Sequence, residues 1–467
     1  GKDPPPPRYD PAGAMTTRQS FCENGRVRHI DHGGRAMGAI NRIARQILER
    51  ILAGRTPAEA AASLGPRSPE REPLPPQVPG KDSWSADSLA ERQRFLRERG
   101  FGIDHLATSA EGFDPASLRG NIESLIGFAR VPVGVIGPLR INGSAAHGDF
   151  YVPLATTEGA LVASFQRGAR LISESGGATV LCLTESVSRG PAFLFDSTLE
   201  AGRFLAHVLS HSENLQPIVD RVSKHARILD ITPSLVGKEV FLLFQFTTGD
   251  AAGQNMVTLA TDAISRHLIS ESPVAPRTWY VEANLSGDKK ATHLSFQNSR
   301  GKRVVAEVVI ARQLVTKILH AEPEAIVDYW ETALLGSLQS GSIGMQGHVA
   351  NGLAAIFLAC GQDVACISEA AIGITRFDTT ASGDLYLSLV LPSLIAGTVG
   401  GGTHLPTARE CLEILGCYGD GGARKFAEIC GATALAGELS IAGALAAGEF
   451  SAAHAYFGRP KGAAPPQ

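Results

Sequence analysis

The sequence predicts an α+β protein with a helical N-terminal domain, a large Gly/Ala-rich α/β domain, and a compact unit of strands and helices inserted in the large domain. Three observations predict this fold class. Helical periodicity and helix caps occupy the first 120 residues, strands alternate with helices from Gly190 to Ala283, and helices rich in glycine and alanine continue on both sides of that stretch. A length of 467 residues exceeds that of a typical single domain and agrees with the division.

The front region, residues 15–119, is predicted to be a small helical domain. Apolar residues at helical spacing predict a helix from Met37 to Ala53, and Ser85 is placed to cap another helix that ends near Gly100. Between these helices lie a capping box, Thr56-Pro57-Ala58-Glu59, which begins a short helix to about Leu64, and a Pro-rich linker from Arg67 to Lys81.

The inserted unit is predicted to comprise residues 191–280. Its elements follow the order βαββαβ, which is the split βαβ or ferredoxin-like arrangement. The predicted elements are a strand at Ala192–Phe195, a helix at Thr198–Ser210, strands at Ala226–Ile231 and Glu239–Thr247, a helix at Ala251–Ile269 and a strand at Arg277–Glu282.

The large domain is predicted to comprise residues 120–190 and 291–467, and residues 281–290 connect it to the insert. Its glycines cluster at Gly341–Gly347 and Gly397–Gly402, where backbone amides can approach a bulky ligand. The predicted elements after the insert are helices at Val304–His320, Pro323–Ser337, Met345–Cys360, Thr407–Leu415 and Gly422–Ala447, and a strand at Leu385–Leu391.

Composition and charge exclude several classes of function. Hydrophobic residues make up 44% of the chain and charged residues 19%, which is typical of a globular protein. The net charge is −3, so we expect neither nucleic acid nor a membrane as a partner. The seven cysteines contain no Cys-x-x-Cys pair and no secretion signal opens the sequence, which favours a soluble cytoplasmic protein. We expect residues 1–14, which are rich in proline and precede Met15, to be an added or disordered segment outside the fold.

Several common catalytic signatures are absent from the sequence. It contains no Gly-x-Ser-x-Gly elbow, no His-Glu-x-x-His and no closely spaced set of cysteines and histidines, so we predict neither serine-based acyl transfer nor a metal site. It also contains no Gly-x-Gly-x-x-Gly after a strand. Any nicotinamide site must therefore be built in another way.

Four polar positions in apolar or glycine-rich surroundings are candidate catalytic groups: Glu158, Asp288-Lys289-Lys290, Asp363 and His454. Each has an ordinary structural explanation. Glu158 could complement the dipole of a helix that it begins, the lysines could occupy a solvated turn, Asp363 could cap the next helix, and His454 could be an exposed histidine. Singly, none of them identifies a function.

Five motifs follow one another along the chain: Glu123-Ser124-Leu125-Ile126-Gly127-Phe128 with Val131-Pro132-Val133-Gly134-Val135-Ile136-Gly137-Pro138, Thr156-Thr157-Glu158-Gly159, Asp288-Lys289-Lys290, Gly361-Gln362-Asp363, and Gly397-Thr398-Val399-Gly400-Gly401-Gly402-Thr403. Together they resemble the motifs of the 3-hydroxy-3-methylglutaryl-CoA (HMG-CoA) reductase family, in the family's order. The resemblance extends from about Leu96 to Arg459, and the Asp-Lys-Lys motif is similar to that of the class I branch.

The resemblance implies that the large domain binds an acyl-CoA and the insert binds the cofactor NADPH. It also implies reduction of HMG-CoA to mevalonate and CoA by two hydride transfers. Lys289 would stabilise negative charge on the carbonyl oxygen, Glu158 would protonate that oxygen, and Asp363 would hold the lysine and tune the acid. His454 would protonate the departing CoA thiolate. The family's site forms between two subunits around Glu123–Phe128, so we expect a homodimer or a multiple of it.

The resemblance also carries binding roles to individual positions. The positions for the acyl group are Arg189, Glu282, Asn284, Asp288, Lys290, Thr332 and Asn351, and those for CoA are Ser164, Gln166, Arg167, Arg170 and His348. The positions for the cofactor are Ser223, Lys224, Asp250, Gly253, Gln254, Asn255, Met256, Gly400, Gly401 and Gly402. Lys224 matches a position that contacts the ribose 2′-phosphate, which favours NADPH over NADH.

Two acyl-group positions depart from the family pattern. Glu282 stands where the family usually has Ser, and Thr332 stands where it usually has Lys. We expect Glu282 to pair with Arg189 or Lys290, because an isolated buried carboxylate is costly. Three hypotheses follow: an HMG-CoA reductase, a reductase of another acyl thioester, and a CoA-binding regulatory protein without turnover. Retention of all four catalytic positions argues against the third.

Overall fold

In the computed structural model of this chain, the described residues are 83–101 and 113–451, with residues 56, 58–59, 76, 78–79 and 107 before and between them. The chain divides after Val78 into two units, and every element below belongs to the second. In the first unit, the predicted capping box is formed, because the backbone N–H groups of Thr56 and Glu59 donate to each other's side chains at 2.8 Å and 3.3 Å. Several predictions lie outside the described residues: the segment 1–14, the helix Met37–Ala53, the end of the short helix near Leu64, most of the linker Arg67–Lys81, and the surroundings of His454.

Helix α1 (Ala86–Glu98) begins after Ser85, as predicted, and the Ser85 side chain caps it. Its Arg92 is completely buried and donates from Nε to the carbonyl oxygen of Leu125 at 2.8 Å. Helix α1 therefore holds the irregular segment around residues 121–128 in place.

Ten strands form one sheet in the order β7-β4-β6-β3-β8-β10-β9, with β1 paired to β2 and β3, and β5 paired to β6. The strands are β1 (Val133–Gly143), β2 (His147–Ala155), β3 (Ala178–Arg189), β4 (Ala192–Leu194), β5 (Arg227–Val236), β6 (Glu239–Thr247), β7 (Thr278–Tyr280), β8 (Gly301–Ile310), β9 (Ile374–Thr379) and β10 (Leu385–Leu394).

Eleven further helices accompany the sheet among the described residues. They are α2 (Leu161–Glu174), α3 (Thr198–His211), α4 (Gln216–Asp220), α5 (Gln254–Glu271), α6 (Leu294–Gln297), α7 (Arg312–Leu319), α8 (Pro323–Ser340), α9 (Val349–Ala359), α10 (Ile367–Ala370), α11 (Pro406–Ile414) and α12 (Ala423–Ala446).

Helix α12 is the centre of the core in the large domain. It packs against α2, α9 and strands β8 and β10. Glycines allow this close packing, because a Cβ at either Gly352 or Gly437 would lie 2.5 Å from the ring of the buried Phe165. The high glycine and alanine content of the large domain thus brings helices together around one aromatic ring.

Among the described residues, α12 is also the only helix long and apolar enough to match a membrane span. Most of its most apolar window, 83%, is buried inside the protein. Two glutamates within it, Glu428 and Glu438, are buried as well and accept hydrogen bonds from other elements. The helix therefore packs here as a core helix.

The insert contains the six predicted elements in the order βαββαβ, with one further short helix, α4, between its first helix and its second strand. Its strands pair antiparallel in the order β7-β4-β6-β5, so the fourth strand lies beside the first, followed by the third and the second. Strand β3 enters from the large domain and pairs its last three residues, Val187 to Arg189, with β6. The insert and the large domain consequently share one continuous sheet.

The helix predicted over Val304–His320 is wrong in its first half. Residues 301–310 form strand β8, which pairs with both β3 and β10, and only Arg312–Leu319 are helical. The side chains of β8 alternate, with Val304, Ala306, Val308 and Ile310 buried. The four valines and one isoleucine of this strand favour an extended chain, and the period of two in its buried residues was overlooked in the sequence.

Candidate active site

The candidate catalytic lysine and aspartate form an ion pair. Lys289 Nζ lies 2.7 Å from Asp363 Oδ2, and both side chains are partly exposed, at 44% and 42%. The other oxygen of Asp363 accepts the N–H of Ala365 at 3.0 Å and caps the turn Val364–Cys366, so the expected capping role and the catalytic pairing coexist. The hydrogen bond from Lys289 to Asp363 raises the pKa of the lysine, which keeps it an ammonium.

Glu158 lies elsewhere in the chain. It precedes α2 rather than beginning it, since the helix begins at Leu161 after Ala160 in a left-handed conformation. The side-chain amide of Asn351 donates to both oxygens of the Glu158 carboxylate, at 3.1 Å and 3.0 Å. Among the described contacts, Glu158 makes no hydrogen bond or ion pair with Lys289 or Asp363. The structure therefore joins two of the predicted catalytic residues and leaves the third beside Asn351.

A buried network lies beneath the Lys289 loop. Arg189 donates from Nη1 to Asp288 at 2.9 Å, and Arg300 contacts the other oxygen of Asp288 at 2.8 Å. Arg300 also pairs with Glu369 at 2.8 Å, and its Nη2 donates to the amide oxygen of Gln254 at 2.6 Å. Although burial acts to raise the pKa of Asp288, the two arginines outweigh it, and the pKa is lowered.

Glu369 is the most deeply placed carboxylate of this network, with no exposed side-chain surface. Burial raises its pKa to about 7, against the opposing influence of Arg300 and of the backbone N–H of Lys289. The neighbouring thiol of Cys366, which accepts the amide N–H of Gln254 at 3.4 Å, is also buried, and its pKa is raised to about 12.

Glu282 pairs with Arg189, one of its two predicted partners. Its carboxylate lies 3.3 Å from Arg189 Nη1 and also accepts the Ser286 hydroxyl at 2.8 Å and the N–H of Gly190 at 3.1 Å. Lys290, the other predicted partner, donates instead to the carbonyl oxygen of Asp288 at 3.0 Å. One Nη atom of Arg189 thus faces two carboxylates.

The remaining acyl-group positions are more exposed. Asn284 adopts a positive φ of 64° in the loop between the insert and the large domain. Thr332 lies on the exposed side of α8, where its hydroxyl donates to the carbonyl oxygen of Asp328 at 2.9 Å. Neither residue contacts Arg189 or Lys289 among the described contacts.

A cavity of about 260 Å³ lies between α2 and α12, and several CoA positions line it. Its wall includes Glu158, Ser164, Arg167 and His348. Arg167 donates to the carbonyl oxygen of Ser440 at 2.8 Å, and burial lowers its pKa. The cavity therefore combines a guanidinium and a histidine with apolar walls, and Glu158 stands at its edge.

Two other predicted CoA positions make contacts within the protein. Both polar atoms of the Gln166 amide bond the backbone of Gly137, at 2.7 Å and 3.1 Å, so this side chain fixes strand β1 to α2. Arg170 forms an exposed i,i+4 pair with Glu174 at 2.7 Å. Their roles in binding CoA remain predictions.

The two predicted cofactor segments meet. Ala251 and Val399 form a parallel bridge, and the N–H of Thr398 donates to the carbonyl oxygen of Asp250 at 2.8 Å. A Cβ at Gly397 would lie 2.5 Å from the backbone nitrogen of Ala252, so glycine is required there. Gly400 and Gly401 have φ of 75° and 59° and open space beside them, whereas Gly402 packs on Gly361.

The Asp250 carboxylate has a structural task. Its two oxygens accept the N–H groups of Gly421 and Ala423 at 2.8 Å and 3.0 Å, which caps the start of α12. The start of α5 carries three further cofactor positions. The side chain of Gln254, the first residue of the helix, accepts a hydrogen bond from Arg300. Asn255 is exposed, and Met256 packs partly against the core. No side chain caps α5 at Gly253, so the amides of its first turn are available to an anion.

The predicted phosphate-binding pair lies in the insert, between α4 and β5. The Ser223 hydroxyl accepts the N–H groups of His225 and Ala226 at 3.2 Å each, and Lys224 is exposed. In the part of the chain that is described, no group of three or more metal-ligating side chains could hold a metal ion.

Sequence reasoning missed Arg300, Glu369 and Glu438. Arg300 lies 69 residues from Glu369 along the chain, so no local pattern connects them. Glu438 gave a signal, since it interrupts an otherwise apolar segment. Its carboxylate accepts the N–H groups of Gly347 and His348 and the Thr375 hydroxyl, and thereby fixes a wall of the cavity.

Comparison with known proteins agrees with this geometry. The family model described as Hydroxymethylglutaryl-coenzyme A reductase matches residues 88–459. The 3-hydroxy-3-methylglutaryl-coenzyme A reductase of Pyrococcus abyssi is 44% identical over 378 residues, covering 79% of this chain and 92% of that protein. The reductase of the same name from Methanocaldococcus jannaschii is 41% identical over 374 residues, covering 79% and 92%.

A solved structure shares the fold. The class II 3-hydroxy-3-methylglutaryl-CoA reductase from Streptococcus pneumoniae, bound to NADPH in open conformations, matches with a TM-score of 0.58 and 18% identity, covering 78% of this chain and 99% of that one. Because the family model spans most of the chain and relatives above 40% identity align over most of both lengths, this protein belongs to the HMG-CoA reductase family.

Proposed function

We propose that this protein catalyses the NADPH-dependent reduction of HMG-CoA to mevalonate and CoA, a reaction of the mevalonate pathway. The observation that carries the proposal is the Lys289–Asp363 ion pair, which presents an accessible ammonium in the loop between the insert and the large domain. The two archaeal 3-hydroxy-3-methylglutaryl-coenzyme A reductases, which align with this chain over 92% of their length, support the proposal.

Lys289 acts on the carbonyl oxygen of the thioester. Negative charge develops on that oxygen as the carbonyl is reduced, and a fixed ammonium stabilises the transition state more than the ground state. Asp363 keeps the lysine charged, since their hydrogen bond raises the lysine pKa. NADPH, when bound, supplies the hydride.

Glu158 delivers the proton that the new alcohol requires. Asn351 donates to both carboxylate oxygens, which fixes the orientation of the Glu158 side chain.

Other residues act on the thiol and on the acyl group. His454 protonates the departing CoA thiolate. The far end of the acyl group is bound by Arg189, Asp288, Lys290 and Asn284. The cavity lined by Arg167 and His348 receives part of the CoA moiety.

The residues at the start of α5 fit a dinucleotide. Open amides follow Gly253, and Gly400 and Gly401 leave room for a ligand beside the backbone. Lys224 adds a positive charge in the insert, which favours the phosphorylated cofactor. We therefore assign the insert, residues 191–280, to cofactor binding, residues 120–190 and 291–467 to acyl-CoA binding, and residues 15–119 to a small N-terminal domain.

The proposal includes a homodimer. Among the contacts described within one chain, Glu158 makes no hydrogen bond or ion pair with Lys289 or Asp363, so a second copy can complete the site. Thr332, Leu335 and Leu338 recur every three residues on the exposed side of α8, and the leucines are 68% and 70% exposed. Burying this face against a second chain would remove exposed apolar surface and carry Thr332 into the partner's site.

A cytoplasmic location accompanies this proposal. The six cysteines among the described residues are free thiols, a state that a reducing compartment maintains.

A second candidate function is the reduction of a different acyl thioester. The observation that favours it is the pairing of Glu282 with Arg189, which neutralises a cation assigned to the acyl carboxylate. A less acidic acyl group would then suit the pocket better.

One assay distinguishes these functions. Oxidation of NADPH is followed with HMG-CoA and with a panel of acyl-CoAs that lack the distal carboxylate. We expect turnover with HMG-CoA, its loss in Lys289→Ala, and no change in Lys317→Ala, a lysine on the exposed surface of α7. Turnover of another acyl-CoA alone would favour the second candidate, and turnover of none would refute both.

A further inference from the structure

The backbone of Lys289 is unusual for a lysine. Its φ is +54°, in the left-handed region that side chains with a Cβ rarely adopt, and it follows Gly287 at +72°. Such a conformation persists only where the surroundings hold it. The residues that hold it therefore decide where the ammonium points.

Two attachments reach Lys289 from the same short segment, residues 363–369. Asp363 binds the ammonium directly at 2.7 Å. Glu369, at the other end of the segment, binds Arg300 at 2.8 Å, and Arg300 binds Asp288, the residue before Lys289, at 2.8 Å. The side chain and the backbone of the lysine are thus fastened to one structural element.

Arg300 is built to make this connection. Its side chain is 3% exposed, its backbone N–H donates to the Ser393 hydroxyl at 3.1 Å, and it precedes strand β8 in the centre of the sheet. A planar guanidinium can bind two carboxylates in fixed directions, which an ammonium on a flexible stem cannot do. Arg300 therefore fixes the loop that carries Asp288 and Lys289 relative to the buried core.

We propose that Arg300 and Glu369 are positioning residues for Lys289, which hold its backbone in the left-handed turn from which the ammonium meets Asp363 and the substrate carbonyl. The proposal rests on the function assigned above for its kinetic consequences, but not for its structural ones. Neither residue touches the reacting atoms; both act through Asp288 and the Lys289 backbone.

The kinetic test compares Arg300→Met, Arg300→Lys and the double variant Arg300→Met/Glu369→Gln. Because small misplacements of a catalytic group are costly, we expect kcat to fall roughly a hundredfold in Arg300→Met, with a much smaller rise in the KM for NADPH from the lost hydrogen bond to Gln254. Arg300→Lys keeps the positive charge but cannot bind Asp288 and Glu369 at the same time in the same directions. Its kcat should therefore lie between those of the wild type and Arg300→Met.

Thermal unfolding of the same variants separates positioning from stability. Arg300→Met leaves Glu369 buried without its cation, whereas the double variant removes both charges and should recover much of the lost melting temperature. Its kcat should stay low, because Asp288 has lost its ion pair with Arg300 and is held by Arg189 alone. Recovery of wild-type kcat together with the melting temperature would overturn the proposal, as would wild-type kcat in Arg300→Met.

The matched control is Glu428→Gln. Glu428 is a fully buried carboxylate of α12 that accepts hydrogen bonds from Ala145 and Ala146 and belongs to no part of the site. This variant should lower the melting temperature and leave kcat unchanged.

A second measurement needs no enzymatic activity and decides the proposal even if the wild type does not reduce HMG-CoA. The rate at which an amine-reactive reagent labels Lys289 is followed by mass spectrometry, with Lys317, the exposed lysine of α7, as the internal reference. Loosening the pair with Asp363 lowers the lysine pKa and exposes the amine, so Arg300→Met and the double variant should label Lys289 several-fold faster, and Glu428→Gln should not. An unchanged labelling rate in Arg300→Met would overturn the proposal.

Discussion

The charge of Lys289 depends on one neighbouring carboxylate. Asp363 raises the pKa of the lysine chiefly through a hydrogen bond, although both side chains are partly open to solvent. The sequence predicted both residues through their motifs, and it predicted the pairing through the resemblance. It could not predict that one carboxylate oxygen of Asp363 binds the Lys289 ammonium while the other accepts the N–H of Ala365.

Removing that carboxylate should shift the pH dependence of catalysis. With Asp363→Asn the lysine pKa falls, so the ammonium is lost at a lower pH, and the alkaline limb of the kcat profile should move toward neutrality. We also expect kcat at pH 7 to fall by roughly a hundredfold or more. Steady-state kinetics between pH 6 and pH 10 measure both effects.

A control for this variant is Asp378→Asn, which breaks an exposed pair with Arg376 at 2.7 Å outside the site. Its profile should match that of the wild type. An Asp363→Asn profile with an unshifted alkaline limb would show that Lys289 is not the group that titrates there.

Glu282 stands at a position where the resemblance predicts serine. Replacing it by serine removes one of the two carboxylates that face Arg189, and Thr332→Lys adds a cation on α8. The double variant Glu282→Ser/Thr332→Lys should raise kcat/KM for HMG-CoA mainly through a lower KM, because these contacts are remote from the reacting carbonyl. Tight binding of HMG-CoA by the wild type, unimproved in the double variant, would contradict this expectation.

At the scale of elements, local sequence predicted the insert well and the large domain less well. The insert alternates clear amphipathic helices with short strands, and all six elements were found, with β6 at its predicted bounds. Strand β8 was mistaken for a helix because Val304, Val308 and neighbouring apolar residues also recur at a spacing of four. Its strand character depends on pairing with β3 and β10, which a local pattern does not contain.

The contact between helices α2 and α12 provides a stability prediction. A Cβ at Gly168 would overlap the backbone carbonyl of Ala436, so Gly168→Ala forces two core helices apart. We expect a loss of about 1–3 kcal/mol in the free energy of unfolding, measured by urea denaturation.

The matched control is Gly202→Ala in α3, another glycine within a helix but with open space around it. There the helix propensity of alanine should stabilise the protein by about 0.5–1 kcal/mol. Equal effects of the two substitutions would show that the contact between α2 and α12 is looser than described.

At the scale of the whole molecule, the sequence predicted family, reaction and domain order, whereas the buried network of Arg189, Arg300 and Glu369 became visible only in three dimensions. The motifs recognised in the sequence consist mainly of residues that would contact ligands. The residues that position them, such as Arg300 and Glu369, lie on elements far apart in the sequence, so no single segment shows a pattern that predicts their contact.

Assembly is the prediction that belongs to this scale. Multi-angle light scattering should give at least twice the 49.1 kDa mass of one chain. Leu338→Glu, on the exposed face of α8, should shift the protein to monomers and abolish turnover. Leu199→Glu, at an equally exposed leucine of the insert, should leave both unchanged. A fully active monomer would rule out a site completed by two chains.

Strand β3, which runs without interruption from the large domain into the insert, limits how the molecule can move. The insert cannot swing open as a rigid lobe on a hinge unless the ladder of Val187, Ser188 and Arg189 with β6 is broken. Arg189 is itself part of that ladder, so such a motion would also withdraw its guanidinium from Asp288. If that ladder stays intact, the exchange of oxidised for reduced nucleotide between the two reduction steps requires movement of the connecting loops rather than rotation of the whole insert.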